Sequence, residues 1–102
     1  SPRVSSTSNS RNATILAFLS QARDQERAGH PERAAAVIER ALRIDPQNAQ
    51  LWYRLALLRM QQKKYSLAAS LAAKSNALAR NDHRLQGKNQ TLIQQTKILR
   101  GQ

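Results

Sequence analysis

The apolar positions recur at helical spacing in five stretches, and no stretch alternates with period two as a strand would. From Ala13 to Ala28, the residues Ile15, Leu16, Phe18, Leu19 and Ala22 follow steps of three and four, and then the face turns polar. Gly29-His30-Pro31 reads as a stop and a restart: glycine just past one helix end, proline at the first position of the next. Pro31 to Ile44 forms a second helix with Ala34, Val37, Ile38, Ala41 and Leu42 on its buried face. Glu32 sits in its positive first turn, and Arg40 and Arg43 near its negative end, as the helix dipole favours. After the break at Asp45-Pro46-Gln47-Asn48, Asn48 is placed to cap a third helix running to about Gln62. Its segment Leu51 to Met60 is the most apolar of the chain, interrupted only by Arg54 and Arg59. A helix apolar on most sides must be covered on most sides, so this one is central. Lys63-Lys64 makes a turn, and Tyr65 to Ala79 forms a fourth helix with Leu67, Ala68, Leu71, Ala72 and Leu78. Asn81-Asp82 caps a fifth, in which Leu85, Asn89, Leu92, Thr96 and Leu99 form one stripe. Gly87 inside it costs about 1 kcal/mol relative to alanine and marks either close packing or a weak first turn.

The fold class is therefore all-α, with five helices on short connections that make sequential helices antiparallel neighbours. The first ten residues carry five serines and read as a flexible leader, with Asn9, Ser10 or Asn12 as caps for the first helix. The expected organisation is a leader or linker over residues 1–11 and one domain over residues 12–102. Its small size implies a thin core. The chain starts Ser1-Pro2 without methionine, as a processed or trimmed protein would.

The hydrophobic pattern also repeats over a longer period. Phe18 and Trp52 are 34 residues apart, as are Ala22 and Ala56, Ala34 and Ala68, Ala35 and Ala69, and Val37 and Leu71. The second copy carries Trp52-x2-Leu55-Ala56 and then Tyr65-x2-Ala68, and the first carries Phe18, Ala22, Gly29, Ala34 and the closing Asp45-Pro46. In this the chain resembles the tetratricopeptide repeat family from about Ala13 to Gln102, as two helix–turn–helix repeats and a C-terminal capping helix. It departs at Gln21, where the family pattern has leucine, at Gln25 and Arg59, where an aromatic is usual, and at Arg80, which replaces the closing proline. The small residues let helices approach closely, and Phe18 and Trp52 fill the space between them, so Trp52 is expected to anchor the core.

Charge changes the picture next. The formal net charge is +11, and it is uneven. Residues 46–102 hold ten basic groups and one acid, Asp82, whereas residues 1–45 hold seven basic groups and five acids. Such a field favours acidic partners, whether protein, lipid headgroup or nucleic acid, or else simply solvates the surface. Nucleic acid is a rival reading, weakened because only Tyr53 and Tyr65 offer aromatics for base stacking.

Catalytic chemistry finds no footing. There is no cysteine, His30 and His83 have no partner at ligand spacing, and no phosphate loop or nucleophile motif is present. No enzyme activity, cofactor or metal is expected.

The family resemblance implies a concave face lined by the first helix of each repeat. Here that face holds Leu16, Leu19, Arg23 and Arg27 from the first helix, and Tyr53, Arg54, Leu57, Met60 and Gln61 from the third. Arg84, Lys88 and Thr91 or their neighbours come from the fifth. An apolar strip flanked by arginines suits an amphipathic or acidic peptide, although Tyr53 and Leu57 also fit simple packing on the neighbouring first-repeat helix. The lysine and asparagine that clamp a peptide carboxylate in some members are Leu19 and Arg23 here, so that clamp is absent.

In size, Arg/Ala-rich helices, leader and helix count, the chain resembles the tetratricopeptide outer-membrane lipoproteins of Gram-negative bacteria, and among them the pseudomonad-type activators of a class A penicillin-binding protein. That resemblance implies a monomeric periplasmic protein, tethered to the outer membrane through a lipidated cysteine ahead of Ser1. It would bind the peptidoglycan synthase as its protein partner. The alternative within the same fold is an assembly or pilotin-type factor for secretion or pili.

Overall fold

The computed structural model describes the backbone of residues 2–101 and the side chains of residues 10–101. Five helices succeed one another: α1 (Pro2–Arg27), α2 (Pro31–Ile44), α3 (Ala49–Gln61), α4 (Tyr65–Ala79) and α5 (His83–Arg100).

Local chemistry sets most of the boundaries. Asn48 caps α3, its Oδ1 accepting from the Leu51 amide at 3.3 Å while its Nδ2 donates to Asp45 Oδ2 at 3.1 Å. Asp82 Oδ1 caps α5 by accepting from the Leu85 amide at 3.0 Å. Pro31 opens α2 with Glu32 in its first turn. The ends of α1 and α3 close identically, one repeat apart. At α1, the Gly29 amide donates to Glu26 O and the His30 amide to Gln25 O; at α3, Lys63 donates to Met60 O and Lys64 to Arg59 O. This closure needs a left-handed residue, which is Gly29 (φ 82°) in the first copy and Lys63 (φ 62°) in the second.

One boundary differs from the sequence reading. The first helix is expected to start near Ala13, but α1 starts at Pro2. No glycine or further proline interrupts residues 3–27, and extending an existing helix is far easier than nucleating one. Ser10 and Asn12 accordingly lie inside α1 and are not its caps. The leader expected over residues 1–11 falls on residues 1–9, whose side chains lie outside the described residues, and on the exposed Ser10 and Arg11.

Two apolar clusters hold the helices together. The first joins α1, α2 and α3 through Ile15, Ala22, Ala34, Ala35, Ile38, Ala41, Leu42, Leu51, Leu55 and Leu58. The second joins α3, α4 and α5 through Ala56, Ala68, Ala72 and Leu92, and half-buried Leu71 packs on both. α3 is central as expected, packed on α2, α4 and α5. The four alanines expected to permit close approach, Ala22, Ala34, Ala56 and Ala68, are all buried.

Two expectations are corrected. Trp52 is only half-buried: the core of α3 is made by Leu51, Leu55, Ala56 and Leu58, and Trp52 lies at its margin with its indole Nε1 donating to Pro46 O at 2.8 Å. On α4 the buried face is Ala68, Ala72, Ser75 and Ala79, whereas Leu71 and Leu78 are partly exposed and Leu67 is exposed. Short side chains face the neighbouring helices because those helices come close.

α5 buries Leu85, Asn89, Leu92 and Thr96, as its stripe predicts, with Leu99 half-buried. Two of these are polar, and they find partners. Asn89 Nδ2 donates to Ser75 Oγ at 2.8 Å, Ser75 Oγ donates to Ala49 O at 2.8 Å, and Thr96 Oγ1 donates to Ile93 O at 2.6 Å. One repeat earlier the positions of Ser75 and Asn89 are Ala41 and Leu55, both in the first apolar cluster. Gly87 is exposed, and a Cβ there would meet nothing within 4 Å, so it marks no close packing.

Candidate functional site

The side chains expected on the concave face separate into two groups. From α3, Tyr53, Arg54 and Leu57 are half-buried and Gln61 is exposed. Tyr53 and Leu57 pack beside Met60 and Ile93 on the second cluster, Ala56, Ala68, Ala72 and Leu92. Lys88 of α5 lies over the Tyr53 ring, its Nζ 5.9 Å from the centroid. Tyr53, Leu57 and Lys88 therefore form one continuous surface carried by α3 and α5. Arg84 is exposed on the first turn of α5.

The α1 group stands apart. Leu19 packs on the first cluster, while Arg23 and Arg27 are exposed, Arg27 in a solvent-facing ion pair with Asp24 at 3.9 Å. Among the described residues no Cα of α1 comes within 8 Å of one in α3; the closest backbone packing of α1 is on α2, and its side chains join α3 only in the shared first apolar cluster. Leu16 is 64% exposed on α1 and has no core role. The backbone thus separates two rims, α1 with Leu16, Arg23 and Arg27, and α3–α5 with Tyr53, Arg54, Leu57 and Lys88. Both rims are apolar and cationic, which suits a segment bearing apolar and acidic side chains.

Sequence reasoning missed a second feature on the side of the second helices. A groove of about 430 Å³ opens between α2 and α4. Its apolar lining comes from Leu42, Pro46, Trp52, Leu55 and Leu71, and Glu39 and Arg43 stand at its α2 side. Glu39 Oε2 is paired with Arg59 Nη2 at 3.5 Å. Lys74 lies over the Trp52 ring at 5.8 Å, and one repeat earlier Arg40 lies over Phe18 at 5.2 Å. The period therefore preserves a cation on the outer face of each aromatic. That signal was readable in the sequence as Arg40 and Lys74, again 34 residues apart.

Among the described residues no group of histidines, cysteines or carboxylates is arranged to hold a metal ion, and no helix is long and apolar enough to cross a membrane.

A sequence profile described as tetratricopeptide repeat matches residues 19–83. Among solved structures, the globular C-terminal domain of P. aeruginosa LpoP is similar to this chain at 35% sequence identity, with a TM-score of 0.84. The likeness covers 86% of this chain and 83% of that one. No curated protein sequence matches the chain.

Proposed function

Because the chain belongs to the tetratricopeptide repeat family, we propose that it is a non-enzymatic docking module whose α1–α3–α5 face seats a segment of a protein partner. The observation that carries this reading is the surface of Tyr53, Leu57 and Lys88 beside the partly exposed Arg54: apolar area and positive charge presented together on the central helix. Leu19, Arg23, Arg27 and Gln61 extend the face, and Arg84 adds charge at its α5 end.

In the finer reading the partner is a class A penicillin-binding protein, and the domain works in the periplasm on a lipid tether to the outer membrane. Two things support it: the resemblance of the sequence to lipoprotein activators of that enzyme class, and the likeness to the LpoP domain over most of both chains. Activation is then allosteric. The domain has no chemistry to contribute, so it raises polymerisation only by binding the active conformation of the synthase more tightly than the inactive one.

The test is a glycan polymerisation assay on a purified pseudomonad class A penicillin-binding protein, with binding measured in parallel. The wild-type domain should bind and accelerate synthesis. Combining Tyr53→Ala with Arg54→Glu should weaken binding at least about tenfold, since it removes an aromatic contact and opposes an acidic partner with like charge. Equal binding by both proteins would sink the assignment of the face, and no binding by either would sink the partner. Micromolar affinity for a labelled oligonucleotide with a steep salt slope would instead move the function to nucleic acid.

A further inference from the structure

The groove between α2 and α4 is not an automatic product of the repeat. One period later its lining positions Leu42, Pro46, Trp52 and Leu55 are Asn76, Arg80, Gln86 and Asn89. The second helix junction is therefore built with polar residues at the positions that are apolar around the groove. Its volume of about 430 Å³ is of the size of small-ligand pockets, though the groove is open on one side.

Charge narrows the occupant. Glu39 is the one acid in the lining, and Arg59 answers it: the Arg59 side chain is only 15% exposed, contacts Glu39 at 3.5 Å and donates to Gln62 Oε1 at 3.2 Å. Arg43 in the lining and Lys74, which lies over the Trp52 ring at 5.8 Å, are both exposed, and neither has an acidic partner among the described residues. The rim is thus net cationic around an apolar floor.

A second copy of a chain of charge +11 is repelled from such a site. Residues 1–10 of the chain itself carry Arg3 and no acid, so they offer no complement.

We propose that this groove is a second docking site, separate from the α1–α3–α5 face, for a protein segment that inserts an apolar side chain beside Trp52, Leu55 and Leu71 and sets flanking carboxylates on Arg43 and Lys74. The two sites share α3 but use different residues of it, Trp52 and Leu55 here and Tyr53, Arg54 and Leu57 on the other face, so one partner can occupy both or two partners one each.

Trp52 is the only tryptophan and lines the groove, so its emission reports occupancy directly. The probe is a short synthetic peptide with one phenylalanine flanked by aspartates, titrated into the intact domain. A saturable change in Trp52 emission is expected. It should be lost when lysines replace the aspartates and weakened at least about tenfold by Arg43→Glu, an exposed change that leaves the core intact. Leu71→Gln should weaken it as well, with circular dichroism confirming the fold. The Tyr53→Ala, Arg54→Glu protein should respond as wild type, which separates this site from the face proposed above.

No saturable change, or an equal response from Arg43→Glu, would overturn the proposal. So would sedimentation showing a dimer that Arg43→Glu dissociates, since the occupant would then be a second copy.

Discussion

At the scale of single residues, the most specific contact is the buried Asn89–Ser75 hydrogen bond. Ser75 passes the interaction on to the Ala49 carbonyl, which ties α4 to both α3 and α5 at one point. Asn89 Oδ1 is buried without a partner among the described residues, so the site already carries one unmet polar atom. Ser75→Ala would leave the Asn89 amide donor unmet as well. The variant should destabilise the domain by about 1–3 kcal/mol, and a double-mutant cycle with Asn89→Ala should show coupling of about 1 kcal/mol or more. Chemical denaturation of the four proteins checks this, and additive effects would mean the bond contributes nothing of its own. Asn89 was legible as a member of the buried stripe, but its partner was not. Ser75 is 14 residues away, and only the packed α4–α5 pair brings the two together. Trp52 teaches the converse. The 34-residue period identifies its position, yet not how much covers it, because coverage depends on how far α2 and α4 stand apart.

At the scale of elements, the matching closures of α1 and α3 offer a clean comparison. Gly29 and Lys63 occupy the same left-handed position, and only Lys63 meets the steric cost of a side chain there. A Cβ at Gly29 would meet nothing within 4 Å. Gly29→Ala should therefore cost about 1 kcal/mol from backbone conformation alone, and Lys63→Gly should gain a similar amount. Thermal melts of the two variants should move in opposite directions. The bounds of α2 and α4 were readable to the residue because local signals mark them: proline and glycine at the first turn, the lysine turn and Tyr65 later. The start of α1 was not, because no residue near Ala13 breaks a helix and the cap-competent Ser10 and Asn12 lie inside it; the serine-rich composition points away from a helix there and does not prevent one.

At the scale of the whole molecule, the fold is a stack in which α3 alone has three helical neighbours. Such arrays open from their ends, since each end has fewer interfaces to break. Native-state hydrogen exchange should find the slowest amides in α3 around Leu55 and Leu58, and faster exchange in α1 and α5. Uniform protection across all five helices would contradict this. The all-α architecture, the repeat and the central helix were legible because each is a periodicity. The groove between α2 and α4 was not, because it is a space left between three helices, and no single stretch of sequence encodes a space.

The wide spacing of the α1 and α3 backbones has a mechanical meaning for the proposed docking face. One side of the face, α3, packs on three helices; the other, α1, packs most closely on α2 and meets α3 only through the first apolar cluster. A segment seated between them would meet the more heavily packed side on α3 and the more lightly packed side on α1. Small rotations of α1 would let the proposed face take partners of different girth while the core around Leu51 and Leu58 stays still. Partner binding should accordingly slow amide exchange in α1 more than in α3, and that asymmetry would be the signature of a compliant clamp.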